Sequence, residues 1–254
     1  MNAPVPARPA STIMLLRDGD EGMEVFMVVR HHQIDFASGA LVFPGGSIEP
    51  DDHAIAADPA LYRNVEGLDD VTRAVRIAAV RETHEECGVL LARPRGGDRL
   101  AEPDACDAIA RRVAGGVSFR QAVSEAGLEL ALDQLTPFAH WITPTFMPKR
   151  FDTYFFVVAA PADQLARHDG SESVDSTWIN PQRALVDAKA GKYTIIFPTR
   201  LNLELLARQN TVEAAIGAAR ARRIVTVEPV PAKMPDGGRA LKIPVEAGYG
   251  GDVF

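Results

Sequence analysis

Nine residues, Arg81 to Val89 (RETHEECGV), constrain this chain more than any other stretch. Read as a helix, they place Glu82, Glu85 and Glu86 at i, i+3 and i+4, which is one face. Carboxylates crowded within one turn repel each other and destabilise a helix end. A hard divalent cation with oxygen ligands removes that conflict, and Mg²⁺ or Mn²⁺ is the usual occupant. Arg81 lies four residues before Glu85, so it can pair with that carboxylate and hold its orientation. Gly88 then ends the helix, and the apolar VLLA that follows turns back into a strand. Taken alone, a pair of glutamates reads as a solvated, salt-bridged helix end. The flanking residues decide otherwise.

They follow the pattern R-E-U-x-E-E-x-G-U, with U apolar and Thr83 in the first such position. This is the second half of the Nudix box, G-x5-E-x7-R-E-U-x-E-E-x-G-U. A straight count fails, because Arg73 stands where the box has its first glutamate, although Gly67 stands fourteen residues before Arg81. The front half sits further upstream, in FPGGSIEPDD from Phe43 to Asp52. With Gly46 as the box glycine, Asp52 falls on the first glutamate position. Gly46 to Arg81 then spans 35 positions instead of 14, an excess of 21.

A box split in this way resembles one branch of the Nudix hydrolases, the relatives of the peroxisomal coenzyme A diphosphatases, which carry an insertion after FPGG. Gly39-x3-FPGG is similar to the end of the coenzyme A signature that precedes the box, and Trp141 to Phe156 (WITPTFMPKRFDTYFF) resembles the same branch. That signature has two arginines five apart; Arg30 fits the first and Asp35 occupies the second position. The resemblance covers roughly residues 10 to 205. It implies an α/β fold, a Nudix-type α/β/α sandwich with a mixed curved sheet, here with an extra helical insertion and a C-terminal arm.

The implied activity is divalent-metal-dependent hydrolysis of the diphosphate linkage in a nucleoside diphosphate derivative, with coenzyme A or acyl-coenzyme A favoured. ADP-ribose, NADH and dinucleoside polyphosphates are the alternative substrates, and a non-catalytic nucleotide-binding regulator is the alternative class. Candidate metal ligands are Glu82, Glu85, Glu86 and the backbone of Gly46. Candidate catalytic residues are Glu85, Glu86, Arg81 and Glu172, with Asp175 an equal choice for the extra carboxylate. Arg30, Lys149 and Arg150 are candidate substrate-binding cations, suited to phosphate by charge and geometry. A homodimer is the one protein partner the resemblance suggests.

Composition bounds the rest. Apolar residues make up 46% and charged residues 24% of 254 positions, enough for a large core in one elaborated domain. A net charge of −7 argues against a general nucleic-acid or anionic-membrane binder, but not against a phosphate substrate that meets local cations and metal. Cys87 and Cys106 have neither metal nor disulfide spacing, which suits a reducing cytoplasm. No apolar run approaches the ~18 residues of a membrane helix.

Residues 1–10 read as a disordered leader and 11–254 as a single domain. STIMLLRD and EVFMVVRHH flank the turn-rich DGDEG as a hairpin, and ALVF is a third strand. Residues 53–68 read as a surface insertion, 71–87 as the catalytic helix capped by Asp69 or Asp70, and 104–135 as a helical insertion. FDTYFFVVAA and SESVDSTWI are strands; NPQRALVDAKAG, FPTRLNLELLAR and TVEAAIGAARARR are helices; 224–254 is an arm with a hairpin around DGG.

Overall fold

The computed structural model describes residues 5–30, 40–63, 65–164, 173–234 and 238–254, with the side chains of Arg30, Ser173 and Val174 excepted. The strands are β1 (Arg8–Gly19), β2 (Gly22–Arg30), β3 (Leu41–Val42), β4 (Ala92–Pro94), β5 (Leu128–Leu130), β6 (Thr136–Ile142), β7 (Phe151–Ala159), β8 (Ser173–Ile179), β9 (Thr226–Val227), β10 (Val230–Lys233) and β11 (Arg239–Lys242). The helices are α1 (Pro50–Ala56), α2 (Asp70–Cys87), α3 (Pro103–Ala114), α4 (Phe119–Glu125), α5 (Pro181–Lys189), α6 (Phe197–Leu206) and α7 (Val212–Ala221).

One mixed sheet runs β3-β2-β1-β7-β6-β9, with β8 on the other edge of β2. The pairs β1/β7 and β6/β9 are parallel and the rest antiparallel. Strand alternation sends Ile13, Leu15, Phe156 and Val158 to one face, against α1, α2, α3 and α4. Met14, Leu16, Phe155 and Val157 face the other way, against α5, α6 and α7. The result is the expected three-layer α/β/α arrangement, with a core on each side of the sheet.

The hairpin, the third strand and the later helices fall where the sequence places them. Three expectations do not. The strand β1 begins at Arg8, so the last part of the supposed leader lies in the sheet, paired in parallel with β7 from Arg8↔Phe151 onward. The 53–68 segment is not a surface excursion. Its first residues belong to α1, and Ile55 and Leu61 are 0% and 1% exposed within the core under α2. The 104–135 segment adds β5, which pairs with β4, to its helices, and its apolar residues join the main core.

The arm is also tied down. Its strands β10 and β11 pair antiparallel, and residues 235–237 between them lie outside the described residues. Beyond it, the buried Tyr249 accepts a hydrogen bond from Trp141 Nε1 (3.0 Å) and donates to Asn202 Oδ1 (2.7 Å). No helix among the described residues is long and apolar enough to cross a membrane.

Candidate active site

Helix α2 starts because Asp69 caps it, its side chain accepting from the Thr72 amide at 2.7 Å. It stops at Gly88, whose φ of +69° continues the chain in the left-handed region while its N–H reaches His84 O. The face between these ends carries Arg81, Glu82, Glu85 and Glu86.

Opposite that face runs the glycine loop. Only the C-terminal part of β1, Leu16 to Gly19, pairs with β2. Its N-terminal half pairs with the loop instead: Ser11 N–H donates to Gly46 O (2.8 Å) and Ile13 N–H to Pro44 O (2.9 Å). Gly45 has φ +152°, and a Cβ there would overlap Ser11 O and lie 2.7 Å from Thr12 Cα. A Cβ on Gly46 would run into the Glu82 carboxylate. The two glycines let the loop pass between strand and helix.

One guanidinium organises the acids. Arg81, 2% exposed, donates from Nε and Nη2 to both oxygens of Asp52 (3.0 Å each), and Asp52 is fully buried. Its Nη2 also reaches Ser47 O (3.0 Å), while Nη1 reaches Glu82 Oε1 (2.9 Å) and Glu85 Oε2 (2.8 Å). Asp52 accepts the Glu49 amide as well (2.8 Å). The residue at the first glutamate position of the split box is therefore the partner that fixes Arg81. Glu86 Oε2 accepts the Gly45 amide (2.8 Å), tying helix to loop.

Three carboxylates, those of Asp52, Glu82 and Glu85, thus share one guanidinium. Burial raises the Glu82 pKa to about 7 against the opposing pull of Arg81, with Glu85 adding to the rise. Glu85 is raised too, by burial first, again against Arg81. Among the described residues no three acids are gathered as a ready-made metal cage. Glu82 and Glu85 lean on Arg81, and Glu86 leans on the loop amide. The donor set nevertheless fits a hard divalent cation: it is all oxygen, in excess negative charge, and confined to one helical turn.

These side chains line a cavity of about 830 Å³. Away from them, Trp141, Phe146, Phe151, Phe197, Pro229 and Leu241 form an apolar part of the wall, with Thr143, Thr153 and Thr199 among them. Lys149 borders it, with Nζ 5.7 Å from the Phe151 ring centre. Arg150 does not. Its Nε donates to Thr143 O (2.9 Å), Nη1 to Val5 O (2.8 Å) and Nη2 to Glu228 (2.7 Å), so its charge is spent inside the protein. Its expected substrate contact is corrected to a structural one. Asp175 is exposed on β8, accepts the Ser176 amide and does not line the cavity. Glu172, Asp35 and Gly39 lie outside the described residues, as does the Arg30 side chain.

Three contributors were missed in the sequence. Arg8 lines the cavity from the strand that had been assigned to the leader. Its proline- and alanine-rich surroundings offered no local signal of a strand. Pro229 and Leu241 reach it from the arm, and nothing local to them announced it.

Comparison with known proteins gives a consistent result. The family model of the NUDT19 Nudix domain matches residues 66–205. A protein named nudix hydrolase 7 from Caenorhabditis elegans is 28% identical over 184 residues, covering 72% of this chain and 56% of its own length. The acyl-coenzyme A diphosphatase NUDT19 of Xenopus laevis is 27% identical over 228 residues, covering 72% and 59%. The chain thus spans less than two thirds of the length of either relative. A crystal structure of a NUDIX hydrolase from Alicyclobacillus acidocaldarius superposes with TM-score 0.71 at 30% identity, covering 84% of this chain and 96% of that one.

Proposed function

The chain belongs to the Nudix hydrolases, in the family of the NUDT19 Nudix domain, and from that premise we propose that it is a divalent-metal-dependent diphosphatase acting on coenzyme A or its acyl thioesters. The carrying observation is a single cavity that joins the acidic face of α2 to an apolar wall. A substrate with a diphosphate at its centre and a long thiol or acyl arm matches both ends. The relative named as an acyl-coenzyme A diphosphatase supports the same class.

Glu82, Glu85 and Glu86 would hold the cation, with the Gly46 carbonyl as a further oxygen. That carbonyl already accepts from Ser11, which uses one of its two lone pairs. The ion, Mg²⁺ or Mn²⁺, supplies charge neutralisation on the phosphoryl oxygens and a water of lowered pKa. Arg81 is a positioning residue: it fixes the rotamers of Glu82 and Glu85 and is itself fixed by Asp52. The Gly45 amide does the same for Glu86.

The proton on Glu82 competes with the ion. With its pKa raised to about 7, Glu82 is largely protonated below that pH and must lose the proton on metal binding. Mn²⁺ affinity should therefore rise with pH, by at most about tenfold per unit for one proton, and level off above about 7. Calorimetric titration at successive pH values reads this directly. Glu82→Gln should flatten the profile, and a flat profile in the native protein would remove Glu82 from the ligand set.

The activity is tested by a metal-dependent hydrolysis screen over coenzyme A, acyl-coenzyme A, ADP-ribose and NADH, with products identified by mass. The expected products are 4′-phosphopantetheine, or its acyl form, and adenosine 3′,5′-bisphosphate. Preferential turnover of ADP-ribose or NADH would move the substrate class. Nucleotide binding without turnover at millimolar Mg²⁺ or Mn²⁺ would make the chain a binding module.

A further inference from the structure

We propose that Arg8 and Lys149 together form a subsite for a phosphate monoester that the substrate carries away from the linkage being cut. The inference rests on the reading of the cavity as a nucleoside diphosphate site, and it names the feature of the nucleotide that is selected.

Among the described residues, three cations line the cavity: Arg8, Arg81 and Lys149. Arg81 is fully engaged by Asp52, Glu82, Glu85 and Ser47 O. Among the described residues, neither Arg8 nor Lys149 has a carboxylate partner. Arg8 is bonded through its backbone N–H, to Arg150 O (3.0 Å), and Lys149 touches the Phe151 ring.

The fold brings the two cations to one end of the cavity. Arg8 is the register partner of Phe151 in the parallel β1/β7 ladder, and the Lys149 ammonium stands over that same ring. Arg150 keeps their carriers together. It bonds Val5 O on the segment leading into β1 and Thr143 O on the loop that carries Lys149.

The distance suits a nucleotide. Arg8, Ala10 and Thr12 share the strand face that borders the cavity. The glycine loop runs along β1 from Ile13 to Pro9, and Gly46 itself meets the strand at Ser11, three residues from Arg8, or roughly 10 Å along a strand. A sugar bearing a second phosphate spans such a gap, with the remainder covered by the flexible cationic side chains. Charge argues in the same direction. Among the described residues, the metal end of the cavity holds Glu49, Glu82, Glu85 and Glu86 against Arg81, so an extra phosphate dianion is unfavourable there and favourable beside Arg8 and Lys149. On the functional reading above, this group is the 3′-phosphate of coenzyme A, which ADP-ribose and NADH lack.

The test compares the native protein with the double variant Arg8→Gln, Lys149→Gln at fixed ionic strength. The first readout is the ratio of kcat/KM for coenzyme A to that for its 3′-dephospho form. It should be about 10 or more in the native protein and fall toward 1 in the variant, through KM. A native ratio near 1, or a ratio unchanged in the variant, overturns the subsite. The second readout is metal-free equilibrium binding of adenosine 3′,5′-bisphosphate against adenosine 5′-monophosphate. The bisphosphate should bind several-fold tighter to the native protein, and the variant should lose that difference. If neither coenzyme A form is hydrolysed, the functional reading fails and this binding comparison alone decides the subsite: equal affinities overturn it, and a variant-sensitive difference sustains it.

Discussion

Glu86→Gln is expected to lower turnover by at least ~10²-fold, or about 2.7 kcal/mol on the barrier, without unfolding the protein. The glutamine oxygen can still accept the Gly45 amide that now binds Glu86 Oε2 at 2.8 Å, so the side chain keeps its place and loses only its charge. Glu85→Gln should behave alike, because its oxygen can still face Arg81 Nη1. Removing one of several crowded carboxylates relieves repulsion, so the urea midpoint should not fall. Turnover at saturating Mg²⁺ and urea unfolding together check this. Near-native turnover in both variants would sink the metal-helix assignment.

Arg81→Met is expected to act on stability, by about 3–5 kcal/mol, the usual cost of leaving a buried charge without its partner. Asp52 has no solvent exposure and would lose two of its three hydrogen bonds. Glu82 would lose its cation in the same step. A domain has roughly 5–15 kcal/mol in all, so such a loss would be plain in urea or heat. Adding Asp52→Leu to Arg81→Met should recover part of it, since the unpaired charge is then gone as well. A loss below about 1 kcal/mol for Arg81→Met alone would mean that the pair behaves as a hydrated surface bridge.

The catalytic helix was the most legible element. Its cap, its glycine stop and its acidic face are all local, and Asp69, Gly88 and the three glutamates stand where the sequence puts them. The glycine pair was readable too, though only the fold shows that Gly45 is required by Ser11 and Gly46 by Glu82. The chain bends at Lys149 just before β7, and this defeated the reading of Lys149 and Arg150: the same charge in neighbouring positions, one at the cavity and one buried. Ile55 and Leu61 were hidden because Asp58 and Pro59 break their segment into stretches too short for a period to show. Arg8 was lost because its strand is stabilised by a partner far along the chain, and a proline- and alanine-rich start gives no local sign of that.

That distant partnership has a kinetic consequence. Strands β1 and β7 pair over nine positions from Arg8↔Phe151 to Leu16↔Ala159, so adjoining strands of the sheet come from widely separated parts of the chain. Contacts of such sequence separation are slow to form, because the intervening chain must be closed before they contribute. During synthesis at ~5–20 residues per second, the β1/β2 hairpin would wait on the order of ten seconds before β7 emerges. Until then β1 presents the apolar edge of an unfinished sheet, and the glycine loop is fastened to a strand that has not yet been fixed. A strand translated well before its partner is secured only when that partner arrives, and the reactive centre is assembled with it.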